Sequence, residues 1–124
     1  MNTEKRQTET YVLRNLDRLD PVTAYVTNYE PGIGKIVVEC YGSAWTASWC
    51  GMGDSSLQEF FLACNNDYIL GKMLVAMQAK DMAECFGSDW YMDLPRCNTS
   101  EYEYLGRILN AVKAAFADEL QQAA

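Results

Sequence analysis

Between Val22 and Cys50 the chain lays down three apolar segments separated by glycine-containing breaks, and this pattern limits the fold more than any other feature. In PVTAYVTNY, Val22, Ala24 and Val26 alternate with Thr23, Tyr25 and Thr27, the period of two of a strand with one face buried. Pro31, Gly32 and Gly34 supply turn chemistry in EPGIG. KIVVECY follows with β-branched residues in a row, and after Gly42 the segment AWTASWC puts Trp45, Ala47 and Trp49 on one face. Strands joined by such short connections predict an antiparallel meander. Upstream, YVLRNL alternates poorly and fits either a strand or a helical turn, so the sheet has three or four strands. The polar first ten residues, MNTEKRQTET, are expected to fray.

After the third strand the period changes. The loop GMGDSS leads into LQEFFLAC, where Ser56 and Glu59 have the spacing of a capping box. Asn66 or Asp67 is expected to cap a second helix, DYILGKMLVAMQ, with Ile69, Leu70, Met73, Leu74 and Met77 at helical spacing. From Asp81 to Pro95 the pattern is irregular. Ser100 and Glu103 suggest another capping box, ahead of a stripe of Leu105, Ile108, Leu109, Val112, Phe116 and Leu120. The expectation is one α+β domain over residues 1–124, an antiparallel three- to four-stranded meander followed by about three helices packed on one face.

Charge removes several function classes. Ten Lys and Arg against seventeen Asp and Glu give a net charge of −7, the opposite of what binding a phosphate backbone requires. Direct nucleic-acid binding is therefore not expected. No run of about 18 uncharged apolar residues suggests a membrane span, and no charged-then-apolar leader suggests secretion. Histidine is absent, and the five cysteines, Cys40, Cys50, Cys64, Cys85 and Cys97, contain no C-x-x-C pair. No metal site or cofactor is expected from this set. An odd cysteine count without a leader fits a reducing cytoplasm with mostly buried thiols.

Three features could carry function. In Trp49-Cys50-Gly51-Met52-Gly53-Asp54-Ser55-Ser56, Gly51 and Gly53 could bring main-chain N–H groups close to a ligand at a helix N-terminus. Ser55 and Ser56 could add hydroxyls there, and Trp45 and Trp49 could stack a base. That arrangement would make a small-ligand or nucleotide-sequestering site, although the loop lacks the lysine of a phosphate-binding loop and Asp54 would repel a phosphate. Its other reading is an ordinary strand-to-helix turn. Cys50 near a helix N-terminus is the one candidate nucleophile. Without a base beside it, no catalytic residue is assigned and an enzyme is not expected.

The third feature, GSDWYMDLPRCNTSEYEY, interleaves Asp89, Asp93, Glu101 and Glu103 with Trp90, Tyr91, Tyr102 and Tyr104. Aromatic anchors inside a carboxylate rim are the composition of an interface that attracts a basic partner. Asp89, Trp90, Tyr91, Asp93, Glu101, Tyr102 and Glu103 are the candidate partner-binding residues. The competing reading packs the aromatic rings into the core beneath a solvated loop.

A resemblance adds context. Leu19-Asp20-Pro21-Val22, Pro31-Gly32-x-Gly34, Glu39-Cys40-Tyr41-Gly42, Ala44-Trp45-Thr46, Met52-Gly53, Phe60-Phe61, Cys64 and Asp67-Tyr68 carry it. Over roughly residues 16 to 75 the chain resembles a family of small uncharacterised proteins of tailed phages and prophages of enteric bacteria. The resemblance brings no catalytic residue with it. It implies a phage accessory protein in the host bacterial cytoplasm, and with the charge it implies an acidic protein that binds and inhibits or redirects a basic host protein, such as a defence or nucleic-acid-binding protein. A homodimer is a further expectation, with Phe60, Phe61 or exposed tyrosine as the seam.

Overall fold

Residues 1–74 and 99–123 are described by the computed structural model of the chain. β1 (Glu9–Leu13), β2 (Val22–Glu30), β3 (Ile33–Cys40) and β4 (Ser43–Trp49) form one antiparallel sheet in the order β1-β2-β3-β4. Helix α1 (Leu57–Ala63) follows. Helix α2 runs from residue 66 to residue 74, where the described part breaks off, and α3 (Thr99–Ala123) closes the chain. The meander-then-helices architecture agrees with the sequence. YVLRNL resolves as a strand over its first three residues, and β1 begins two residues earlier at Glu9. Glu9 and Thr10, within the stretch expected to fray, thus belong to the sheet. The Thr8 hydroxyl meets the Thr27 hydroxyl at 2.8 Å, and the Arg6 guanidinium lies 5.0 Å from the Tyr29 ring centre.

Period-two alternation fixes which side of the sheet is covered. Val22, Ala24 and Val26 of β2 are buried beside Ile36, Val38 and Cys40 of β3 and Trp45, Ala47 and Trp49 of β4. The register aligns them in rows across the sheet, Ala24 with Val38 and Val38 with Trp45. Helix α3 lies over β1 and β2, while α1 lies over β2 and β3. Leu57 and Phe61 from α1, Ile69, Leu70, Met73 and Leu74 from α2, and Leu105, Ile108, Leu109, Val112 and Phe116 from α3 complete this core. Burying such side chains stabilises by roughly 1.5–3 kcal/mol each. The opposite face carries Thr23, Tyr25, Thr27, Lys35, Val37 and Glu39, none of them buried.

The helix ends depart from the sequence expectations in three places. Asn65, not Asn66 or Asp67, caps α2, because its side-chain oxygen accepts from Tyr68 N–H at 2.8 Å. Ser100 lies inside α3, which already starts at Thr99, so it is not the cap. Leu120 is 38% exposed, because the last buried residue of the α3 stripe is Phe116 and the final turns run on into solvent.

Candidate interaction surface

The glycine loop after β4 is built for contact with its own chain. Pro31-Gly32 makes the turn between β2 and β3, with Gly32 at φ +85. A Cβ on Gly32 would stand 2.4 Å from the Gly53 carbonyl oxygen, so a glycine is required there twice over. Met52 N–H donates to the Gly32 carbonyl at 3.0 Å, and Ser55 N–H donates to the Met52 carbonyl at 3.2 Å. At α1 the Ser56 hydroxyl accepts from Glu59 N–H, while the Glu59 carboxylate accepts from Ser56 N–H, each at 3.2 Å. Asn28, 29 residues upstream, accepts from Leu57 N–H at 2.8 Å through its side-chain oxygen. The N–H groups of Met52, Ser55, Ser56, Leu57 and Glu59 are thus occupied within the chain.

The cleft beside this loop is lined by Asn28, Glu30, Pro31, Asp54, Ser55, Ser56 and Glu59. Its three carboxylates oppose a phosphate. Trp45 and Trp49, expected to stack a base, are instead buried at 4% and 7% exposure. Their alternation with Ala44, Thr46 and Ser48 puts them under the helices. The Trp49 indole N–H donates to the Tyr68 hydroxyl at 3.1 Å, and its ring packs on Phe60 with centroids 5.4 Å apart. The structure therefore gives Gly53, Ser55, Ser56 and both tryptophans positions in the fold. Gly51 is exposed, with open space around its Cα.

Cys85 and Cys97 lie outside the described residues, and the other three thiols are dispersed. Cys40 is buried, Cys64 half-buried and Cys50 exposed, so the expectation of mostly buried thiols fails at Cys50, which lines a shallow cleft with Tyr29, Lys35 and Ser48. Burial pushes the Cys64 thiol up, against the opposing pull of Lys113. The Lys113 ammonium donates to the Cys64 carbonyl at 2.6 Å, a cation at the C-terminal end of α1. Among the described residues no group of three or more Cys, Asp and Glu side chains could hold a metal ion.

Of the candidate partner-binding residues, Asp89, Trp90, Tyr91 and Asp93 lie outside the described residues. Glu101, Tyr102 and Glu103 form the first turns of α3, with both carboxylates exposed and Tyr102 half-buried. Tyr102 and Glu103 border a groove between α2 and α3, about 470 Å³ in volume, together with Asn66, Asp67, Leu70, Gly106, Arg107 and Asn110. The Tyr102 hydroxyl donates to the Asp67 carboxylate across the groove, and Asn66 donates to the Asn110 side chain at 2.7 Å. Arg107, on the same groove wall, donates to the carbonyls of Asp17 and Arg18 in the β1–β2 connection. Sequence reasoning missed Asp67, Asn66 and Asn110 as neighbours of this turn. Helical spacing of Tyr102, Gly106 and Asn110 was the available signal for the α3 wall, while nothing local announced the α2 wall.

Every Asp and Glu among the described residues is exposed. Between described residues, Arg6–Glu4 at 3.1 Å is the one ion pair. The negative charge of the described residues is therefore displayed to solvent.

A phage family, Phage_phiTE_072, matches residues 1–81, which span the whole sheet, α1 and the described part of α2. The chain belongs to this phage family. No curated protein and no solved structure matches it. The match places this phage protein's Gly32–Gly53 contact and the α2 wall of the groove within the family region, and the α3 wall outside it. Among the described residues of the phage protein no helix is long and apolar enough to cross a membrane.

Proposed function

We propose that this phage protein acts by binding, not by catalysis, and that its target is a host protein with a basic surface, which it inhibits or redirects in the bacterial cytoplasm. The observation that carries this reading is the α2–α3 groove, where Asp67, Tyr102 and Glu103 stand together. A lysine or arginine of the partner would enter between the two carboxylates, with the Tyr102 ring as an apolar wall for its methylene stem. Glu101, exposed one residue before Tyr102 on α3, would raise the association rate without needing a fixed contact. Defence and nucleic-acid-binding proteins of the host carry the basic surfaces that such a groove would recognise, and direct nucleic-acid binding is opposed by the same charge.

Affinity capture of the full chain from host lysate at low and moderate salt, followed by titration of the purified captured protein, tests the reading. The expected partner is basic, is recovered at low salt and is depleted at moderate salt, because exposed charge pairs are screened. An acidic partner, or one whose affinity ignores salt, contradicts it.

A further inference from the structure

The sheet ends on a strand that lacks the usual defences of an edge. Among the described residues β4 pairs on one side only, with β3. Natural edge strands are commonly short, charged, bulged or interrupted by proline. β4 is SAWTASW, seven residues without charge, proline or glycine, and its register with β3 runs unbroken from Cys40–Ser43 to Gly34–Trp49. It is the one strand of the four with no charged residue, since Glu9, Glu30, Lys35 and Glu39 mark the others. The opposite edge, β1, is five residues long and begins with Glu9.

The hairpin turn settles which backbone groups point outward. Tyr41 and Gly42 have φ of 48 and 79, and Cys40 and Ser43 flank them as a direct pair. A two-residue turn of this type makes its flanking residues a hydrogen-bonded pair, and the pattern then alternates. Ser43, Trp45, Ala47 and Trp49 therefore bond to β3, while Ala44, Thr46 and Ser48 direct their N–H and C=O groups to the open edge.

We infer that β4 is a self-association edge, and that its occupant is β4 of a second copy of this chain, antiparallel about a two-fold axis at Thr46. In that register Thr46 faces Thr46 of the second copy, and Ala44 faces Ser48. These opposed pairs exchange about six main-chain hydrogen bonds. On the covered side Trp45 falls opposite Ala47, a large residue against a small one. On the open side the pairs are Thr with Thr and Ala with Ser, which crowd nothing. Charge limits where two copies can meet: chains of −7 repel wherever their acidic surfaces meet, and β4 is the one strand that carries no charged residue of its own. The union would be a continuous eight-stranded sheet, twice the four strands of one chain. The seam also replaces the expected one at Phe60 and Phe61, because Phe61 is buried and Phe60 packs on Trp49.

Sedimentation equilibrium of the full chain from low to high micromolar concentration tests the inference. The expected mass rises from 14.0 kDa toward twice that value, and exchange of the Thr46 amide slows over the same range. The variant Ala44→Lys with Ser48→Lys places like charges opposite each other across the seam, while shifting net charge toward neutrality, from −7 to −7 + 2 = −5. It should stay at 14.0 kDa with an unchanged far-ultraviolet spectrum. A wild-type mass of 14.0 kDa at every concentration, or a dimer that the double variant leaves intact, overturns the inference.

Discussion

The Gly53 carbonyl oxygen lies 2.4 Å from where a Cβ on Gly32 would stand, which locks the β2–β3 turn to the loop that launches α1. An alanine at Gly32 would suffer twice. The left-handed φ of +85 costs about 1–2 kcal/mol for an L side chain, and the backbone contact adds the overpacking cost of about 1–3 kcal/mol. Gly32→Ala should therefore lower the unfolding free energy in urea by roughly 2–5 kcal/mol. Gly51→Ala has open space and no left-handed φ and should stay within about 0.5 kcal/mol of wild type. Similar losses in both variants would contradict the docking role of the turn.

Tyr11 ties the two ends of the chain to α1. Its hydroxyl accepts from Gln58 at 2.9 Å and faces the carboxylates of Glu9 and Glu119, and its ring packs edge-on against Phe116 with centroids 5.1 Å apart. Burial, followed by the hydrogen bond to Glu119, holds the hydroxyl well above the ordinary tyrosine range. Tyr11→Phe keeps the ring and removes the oxygen, leaving the largely buried Gln58 amide short of a partner. The expected cost is about 1 kcal/mol, with faster amide exchange in the last turns of α3. Unchanged exchange there would mean that Tyr11 does not anchor the helix.

Tyr104 gives stability an alkaline limit. Its hydroxyl donates to the Cys40 sulfur at 3.0 Å, and that bond together with burial pushes it up to about 12 from 10.0. The folded state holds the proton more tightly than the unfolded state, so the contribution is full below pH 10.0 and is lost as pH rises toward about 12. Unfolding free energy measured across that window should fall with pH, and Tyr104→Phe should reduce the slope. An identical slope in the variant would assign the alkaline loss to other groups.

The sheet was legible because period two separates its faces: Val22, Ala24 and Val26 are buried and Thr23, Tyr25 and Thr27 are not. The capping box of α1 was legible because Ser56 and Glu59 satisfy each other locally. Where neighbouring residues had the same capability the sequence was degenerate. Asn65, Asn66 and Asp67 can all cap a helix, and the tertiary bonds from Asn66 to Asn110 and from Tyr102 to Asp67 separate their roles. In β1 both Tyr11 and Val12 are apolar, so alternation was weak, although Tyr11 packs inward and Val12 is 50% exposed. The tryptophans were placed on one face by their spacing, but that the helices cover this face is a tertiary fact. Asn28 gave no signal at all, since its partners Leu57 and Gln58 are 29 and 30 residues away.

In the proposed function the acidic residues of the α2–α3 groove, and not net charge alone, recognise a basic partner. Two charge-reversal pairs separate these terms. Asp67→Lys with Glu103→Lys alters the groove, while Glu4→Lys with Glu39→Lys alters exposed carboxylates elsewhere, and each pair moves net charge from −7 to −7 + 4 = −3. The measurement is the affinity of each pair for the purified host partner as a function of salt. The expected result is at least a tenfold loss, about 1.4 kcal/mol, and a flattened salt dependence for the groove pair, with a smaller loss and a retained slope for the distant pair. Equal losses from both pairs, or a groove pair that binds like wild type, would contradict it.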